Sequence, residues 1–85
     1  MVADRSAWRA SDVVAYDILR DAVGEAIATL FRLADDGVLE PNQAVREAVR
    51  IRRELLDVDA DDRTAIEALR GGLEQRVAEL TGRLT

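Results

Sequence analysis

The stretch Pro41–Val58, PNQAVREAVRIRRELLDV, decides how the rest of the chain is read. At 100° per residue, Ala44, Val45, Ala48, Val49, Ile51, Leu55, Leu56 and Val58 fill an arc of roughly 180° on a helix. An arc that wide predicts a helix with neighbours on two sides. Arg46, Arg50, Arg53 and Asp57 form the opposite, solvated stripe. Arg52 alone falls inside the apolar arc. A guanidinium there must snorkel to water, pair with a carboxylate, or wait for a partner, and a pair with an acid on a neighbouring helix is the favoured expectation.

Outward from this helix, the 85 residues suffice for one small domain, which at this size buries only about 60–65% of the surface its unfolded form exposes. Hydrophobic residues make up 48%, but with one Trp, one Tyr, one Phe and one Met the core must be Leu, Val and Ile. No cysteine and no histidine are present, so neither a disulfide framework nor a zinc site is expected. The opening residues lack the pattern of a signal peptide, and no apolar run approaches the ~20 residues of a membrane span. A cytoplasmic protein with no membrane partner is the expectation. All 12 basic residues are arginine, which with the alanine content suggests a GC-rich bacterial source. The net charge of −5 works against nucleic-acid binding, whose affinity comes from neutralising phosphates, and favours a basic partner.

Met1 to Ala10 has no settled periodicity and reads as an arm or a short helix. Ser11 is the favoured cap for helix 1, with Asp12 suited to the positive end of its dipole. Helix 1 is then expected over residues 12–35, ended by Gly37 in the left-handed conformation. Tyr16, Leu19, Val23, Ala26, Ile27, Leu30, Phe31 and Ala34 mark its inner face. Val14 and Ile18 project elsewhere, beside the acidic stripe of Asp17, Asp21 and Glu25. Val38 and Leu39 are expected to tuck under the bundle, and Pro41 opens helix 2, residues 41–57, where its missing amide hydrogen is not needed.

The aspartates between helices 2 and 3 offer caps, Asp59 or Asp61 being the best placed. Helix 3, residues 61–83, carries Ile66, Leu69, Leu73, Val77, Leu80 and Leu84 at a 3.6-residue period, which fits a straight helix on a globular core. Gly71 and Gly72 interrupt it at about 0.8–1 kcal/mol each relative to alanine, yet the apolar phase carries through them. The fold class expected is therefore all-α, a small three-helix bundle.

The residues argue against catalysis. No His, Cys or Lys is available, the glycines form no phosphate loop, Ser6 and Ser11 have no base near them in sequence, and no cofactor cradle is evident. The aspartates from Asp57 to Asp62 are spaced like caps, and the glycine and final ligand of a calcium loop are missing. The Arg46, Arg50, Arg53 stripe reads as ordinary charge pairing, Arg50 with Glu54 and Arg53 with Asp57. A helix-turn-helix DNA binder lacks an exposed recognition face.

Trp8, Val14 and Ile18 carry the binding expectation, since exposed aromatic and aliphatic clusters mark interfaces. The alternative is that Trp8 folds over the two aliphatics and caps the bundle. The opening AWRASDVVAYDILRDAV, followed by an acidic helical remainder rich in Arg and Ala, resembles the small antitoxins paired with zeta-type kinase toxins of actinobacteria. That resemblance implies a three-helix bundle that binds its toxin and obstructs the toxin's nucleotide site with an N-terminal helix. Trp8, Val14, Asp17 and Ile18 match that role, while the absence of a long helix before Ser11 departs from it. The reading is a non-catalytic protein-binding inhibitor or antitoxin that neutralises a partner toxin, with Arg52 as a further contact. Its rival is a structural module in which Val14, Ile18 and Arg52 serve a homodimer or larger assembly.

Overall fold

A tight turn at residues 33–39 sets the architecture. Gly37 takes φ of 77°, its amide donates to the Ala34 carbonyl at 3.1 Å, and the Val38 amide donates to the Leu33 carbonyl at 2.9 Å. This is the glycine-ended helix stop in which two otherwise orphaned carbonyls are satisfied, and it reverses the chain within a few residues. In this computed structural model the described residues are 2–83 for the backbone and 13–83 for the side chains. Three helices are present, α1 Val2–Asp35, α2 Pro41–Asp57 and α3 Arg63–Gly82, with no strand among the described residues. They form a small all-α bundle, and none of them is long and apolar enough to cross a membrane.

α1 begins at Val2, so the helix runs through Ser11, which is an interior position and not the expected cap. Serine is only mildly unfavourable inside a helix, and nothing near it breaks the backbone. Pro41 does open α2, behind the extended Glu40. The cap of α3 is Asp62, whose Oδ1 accepts from the Ala65 amide at 3.0 Å. Neither Asp59 nor Asp61 takes that place: the Asp59 carboxylate instead accepts from the Asp61 amide at 3.0 Å, shaping the turn that precedes the helix. α3 passes unbroken through Gly71 and Gly72.

Both α2 and α3 pack on α1 and barely on each other. On α1 the buried and half-buried apolar positions run from Ala22 and Leu33 through Leu30 to Ile27, an arc of about 140°. The arc on α2 that packs inward, Ala44, Ala48, Ile51 and Leu55, covers only about 60°. α1 is thus the helix with neighbours on two sides, and the expectation that α2 fills this role is corrected. Val45, Val49 and Leu56, placed in the apolar arc of α2 by sequence, are 49%, 43% and 80% exposed. Phe31 and Val38 are exposed as well, whereas Leu33, absent from the expected inner face, is fully buried.

α3 returns parallel to α1. Its start shares one hollow with Val14 and Ile18, and its end another with Ala22 and Glu25. Leu19, Leu30, Leu33, Ile66 and Leu80 have virtually no contact with solvent, each worth roughly 1.5–3 kcal/mol relative to exposure. Thr29 is the buried polar residue among them, and its hydroxyl donates to the Glu25 carbonyl at 2.8 Å.

Candidate functional site

Val14 and Ile18, one helical turn apart on α1, line a hollow of 430 Å³ against Arg63, Ile66, Glu67 and Arg70 of α3. Ile66 forms the buried floor and the two α1 aliphatics stand at its edge, 55% and 48% exposed. Val13, 58% exposed, projects to a different side of α1 and does not line the hollow. Asp17 is solvent-exposed and three residues on from Val14, so it neighbours the aliphatics on the helix surface. The sequence-derived trio of Val14, Asp17 and Ile18 therefore occupies one patch. Trp8 lies outside the described residues as far as its side chain is concerned.

Arg52 is not part of this patch. It is exposed on α2, lines none of the hollows, and has no ion pair among the described residues. The favoured internal pair with an acid on another helix is therefore corrected. Because α2 buries a narrower arc than its sequence offers, a position at the arc's middle in sequence lies at the margin of the real contact. The helix-surface charge pairing of α2 is also thinner than expected. Arg50 approaches Glu54 at 3.9 Å, both largely exposed, but Arg53 and Asp57 form no pair among the described residues.

A more voluminous concavity lies between α2 and α3. It is an open groove of 900 Å³ whose floor comprises Ile51 and Val58 from the α2 side and Leu69 and Leu73 from α3. Ala65, Ala68 and Gly72 leave the first two turns of its α3 wall with almost no side-chain bulk, and Gln75, Arg76 and Glu79 line the rest. Glu47 and Arg76 join the two helices across one end, Arg76 Nε donating to Glu47 Oε2 at 3.1 Å and a second guanidinium nitrogen donating to Oε1. Arg76 also reaches Glu79 at 3.5 Å.

The Glu47 side chain is 11% exposed and that of Arg76 25% exposed. Burial pushes the Glu47 carboxyl up, but the hydrogen bonds and positive charge of Arg76, with smaller help from Arg50 and Gln43, outweigh it and hold the group below its ordinary range. The hydrogen bond to Glu47 raises Arg76 correspondingly, against its own desolvation. This pair was not foreseen. Its partners are 29 residues apart, and no local spacing rule connects them.

Among the described residues, no three groups of metal-ligating type converge on a common point. No family model, curated protein or solved structure matches this chain.

Proposed function

We propose that the chain is a non-catalytic protein-binding module, an inhibitor of the antitoxin type acting in the cytoplasm, and that it grips its partner with the N-terminal part of α1. The observation that carries this reading is the exposure of Val14 and Ile18, one turn apart on the same side of α1 and lining one hollow. Two aliphatics kept half in water gain little from the bundle, and covering them with a partner gains the transfer energy that folding leaves unused. The continuity of α1 from Val2 supports the same reading, since the resemblance to antitoxins of zeta-type kinase toxins calls for a long N-terminal helix. Trp8, on that helix, keeps its sequence-based role as an aromatic anchor.

The test is a pull-down with the product of the adjacent gene, run beside a thermal melt of each variant. Trp8→Ala and the double change Val14→Asp with Ile18→Asp are expected to abolish capture while the melts stay close to that of the unchanged chain. Arg46→Ala, in the solvated stripe, is expected to leave capture intact. Capture that survives all these changes, or that falls only in step with stability, overturns the assignment.

A second reading rests on Val45, Val49 and Leu56, the exposed aliphatics of α2. A homodimer formed through this stripe would make the chain a structural module. Light scattering on the isolated chain separates the two, a monomer removing the structural reading.

A further inference from the structure

The groove between α2 and α3 lies outside the α1 patch, and none of the residues that line it line the Val14–Ile18 hollow. We infer that this groove is a second docking site, and that its occupant is a basic amphipathic helix from another protein.

Three features of the groove specify that occupant. Its length is the first. From Asp62 to Arg76, α3 rises about 21 Å, nearly four turns of a helix lying alongside it. The groove is open from the α2–α3 turn as far as the Glu47–Arg76 pair, which crosses it at one end, so it suits an elongated element better than a compact one.

Steric access is the second. Ala65, Ala68 and Gly72 recur at three- and four-residue spacing on the α3 wall, and a Cβ placed on Gly72 would meet nothing within 4 Å. A helix backbone can therefore approach α3 closely along residues 65–72 and set its apolar side chains onto Val58 and Leu69. Val58 and Leu69 are only half-buried by the chain itself, so the floor retains apolar surface to cover.

Charge is the third, and it decides the chemistry. The rim carries five carboxylates, Glu54, Asp57, Asp59, Asp62 and Glu79. Against them stand two arginines, and both are already engaged: Arg50 with Glu54, and Arg76 with Glu47 and Glu79. The negative excess concentrates at the α2–α3 turn, where Asp57, Asp59 and Asp62 have no basic partner among the described residues. A helix with apolar residues on one face and Arg or Lys flanking them would meet both the floor and the rim. A second copy of this chain, at net charge −5, would bring more negative charge to an acidic rim.

The proposal is tested with two synthetic peptides of about 18 residues that share one leucine face, one carrying Arg and Lys on its flanks and the other Glu. Binding is followed by fluorescence anisotropy against the full chain. The basic peptide is expected to bind more tightly than about 100 µM, to weaken on raising salt from about 50 to about 500 mM, and to outbind the acidic peptide about tenfold or more. Ala68→Gln with Gly72→Gln fills the wall with a polar side chain that helices tolerate, and is expected to weaken the basic peptide about tenfold or more while the melt holds. Asp57→Asn with Glu79→Gln is expected to remove much of the salt dependence. Val14→Asp with Ile18→Asp should leave peptide binding unchanged, which keeps this test independent of the α1 patch.

Equal binding of the two peptides, or full binding to the Ala68→Gln, Gly72→Gln chain, would overturn the proposal. So would sedimentation showing a dimer that this double change dissociates, since the groove's occupant would then be a second copy.

Discussion

Along α1, Leu19, Leu30 and Leu33 are cut off from water on both flanks, whereas the close link between α2 and α3 is the Glu47–Arg76 pair at the margin of an open groove. One region is dry and apolar, the other wet and charged. The difference assigns the work of folding to α1, which serves as a spine for two helices that scarcely depend on each other. It also frees the α2–α3 side for binding, because an interface that contributes little to the fold can be opened or filled at small cost.

The sharpest way to break this contrast is to truncate a leucine in each region. Leu30→Ala is expected to cost about 3–5 kcal/mol, since its side chain is fully enclosed and the helices around it cannot collapse onto the void. Leu55→Ala, half-buried on α2, should cost about 1–2 kcal/mol because part of that side chain already faces water. Urea denaturation of the two variants decides it. Equal losses would mean that α2 is as central as its sequence pattern suggests and that α1 is not the spine.

The polar link comes next. Arg76→Ala is expected to destabilise by about 1–2 kcal/mol at neutral pH, between the values for exposed and fully buried pairs, because Glu47 is left poorly solvated without its partner. The pH dependence follows from the lowered Glu47 carboxyl. A carboxylate held below its unfolded value contributes stability that is fully present above about pH 4.3 and is lost as pH falls through the folded value. The gap between the unchanged chain and Glu47→Gln should therefore be widest near neutrality and narrow as the carboxylate is protonated in acid. A gap that is constant across that range would show that the pair adds nothing specific to ionisation.

This contrast also marks what the sequence could convey. Three helices, the Gly37 stop and the Pro41 start were legible because each follows from local chemistry: apolar periodicity, a residue that accepts positive φ, a residue that lacks an amide hydrogen. The inner face of α3 was legible for the same reason, with Ile66, Leu73 and Leu80 buried at their expected phase. Relations between helices were not. The apolar arc of α2 is wide in sequence, but how much of it is covered depends on where α1 and α3 lie, and Val45, Val49 and Leu56 were left outside. Leu33 sits at the edge of the phase that Tyr16, Leu30 and Ala34 define on α1, and that edge is where α1 meets a second helix. Of the candidate site, Val14 and Ile18 could be singled out by their phase on α1, whereas the α2–α3 groove depends on how two helices are placed on α1, which no spacing within either one encodes.

A smaller effect, of opposite sign, sharpens the picture of α3 as the groove's wall. Gly71→Ala and Gly72→Ala should each stabilise by up to about 1 kcal/mol, because both glycines are helical and a methyl group at either meets nothing within 4 Å. Thermal melts measure it directly. Destabilisation by Gly72→Ala would mean that α2 approaches α3 more closely than the open groove allows, and the wet side of the comparison would then be partly dry.

The smallest expected effect belongs to Arg52, and it separates the two regions most cleanly. Were α2 gripped on two sides, as an apolar arc of roughly 180° suggests, the Arg52 guanidinium would need a carboxylate on a facing helix. Its removal would then cost several kcal/mol through the carboxylate left unpaired. In the structure Arg52 is exposed and unpaired among the described residues, on the part of α2 that the bundle does not cover. Arg52→Ala should accordingly change stability by no more than about 0.5 kcal/mol, and Arg52→Leu should behave the same while extending the apolar stripe of Val45, Val49 and Leu56. Chemical denaturation of both variants, read beside light scattering, gives the answer. A loss above about 2 kcal/mol in Arg52→Ala would place a partner charge against it and make α2 a two-sided helix after all. Unchanged stability with a new tendency of Arg52→Leu to self-associate would instead identify the guanidinium as the charge that keeps the outer stripe of α2 from pairing with a second copy.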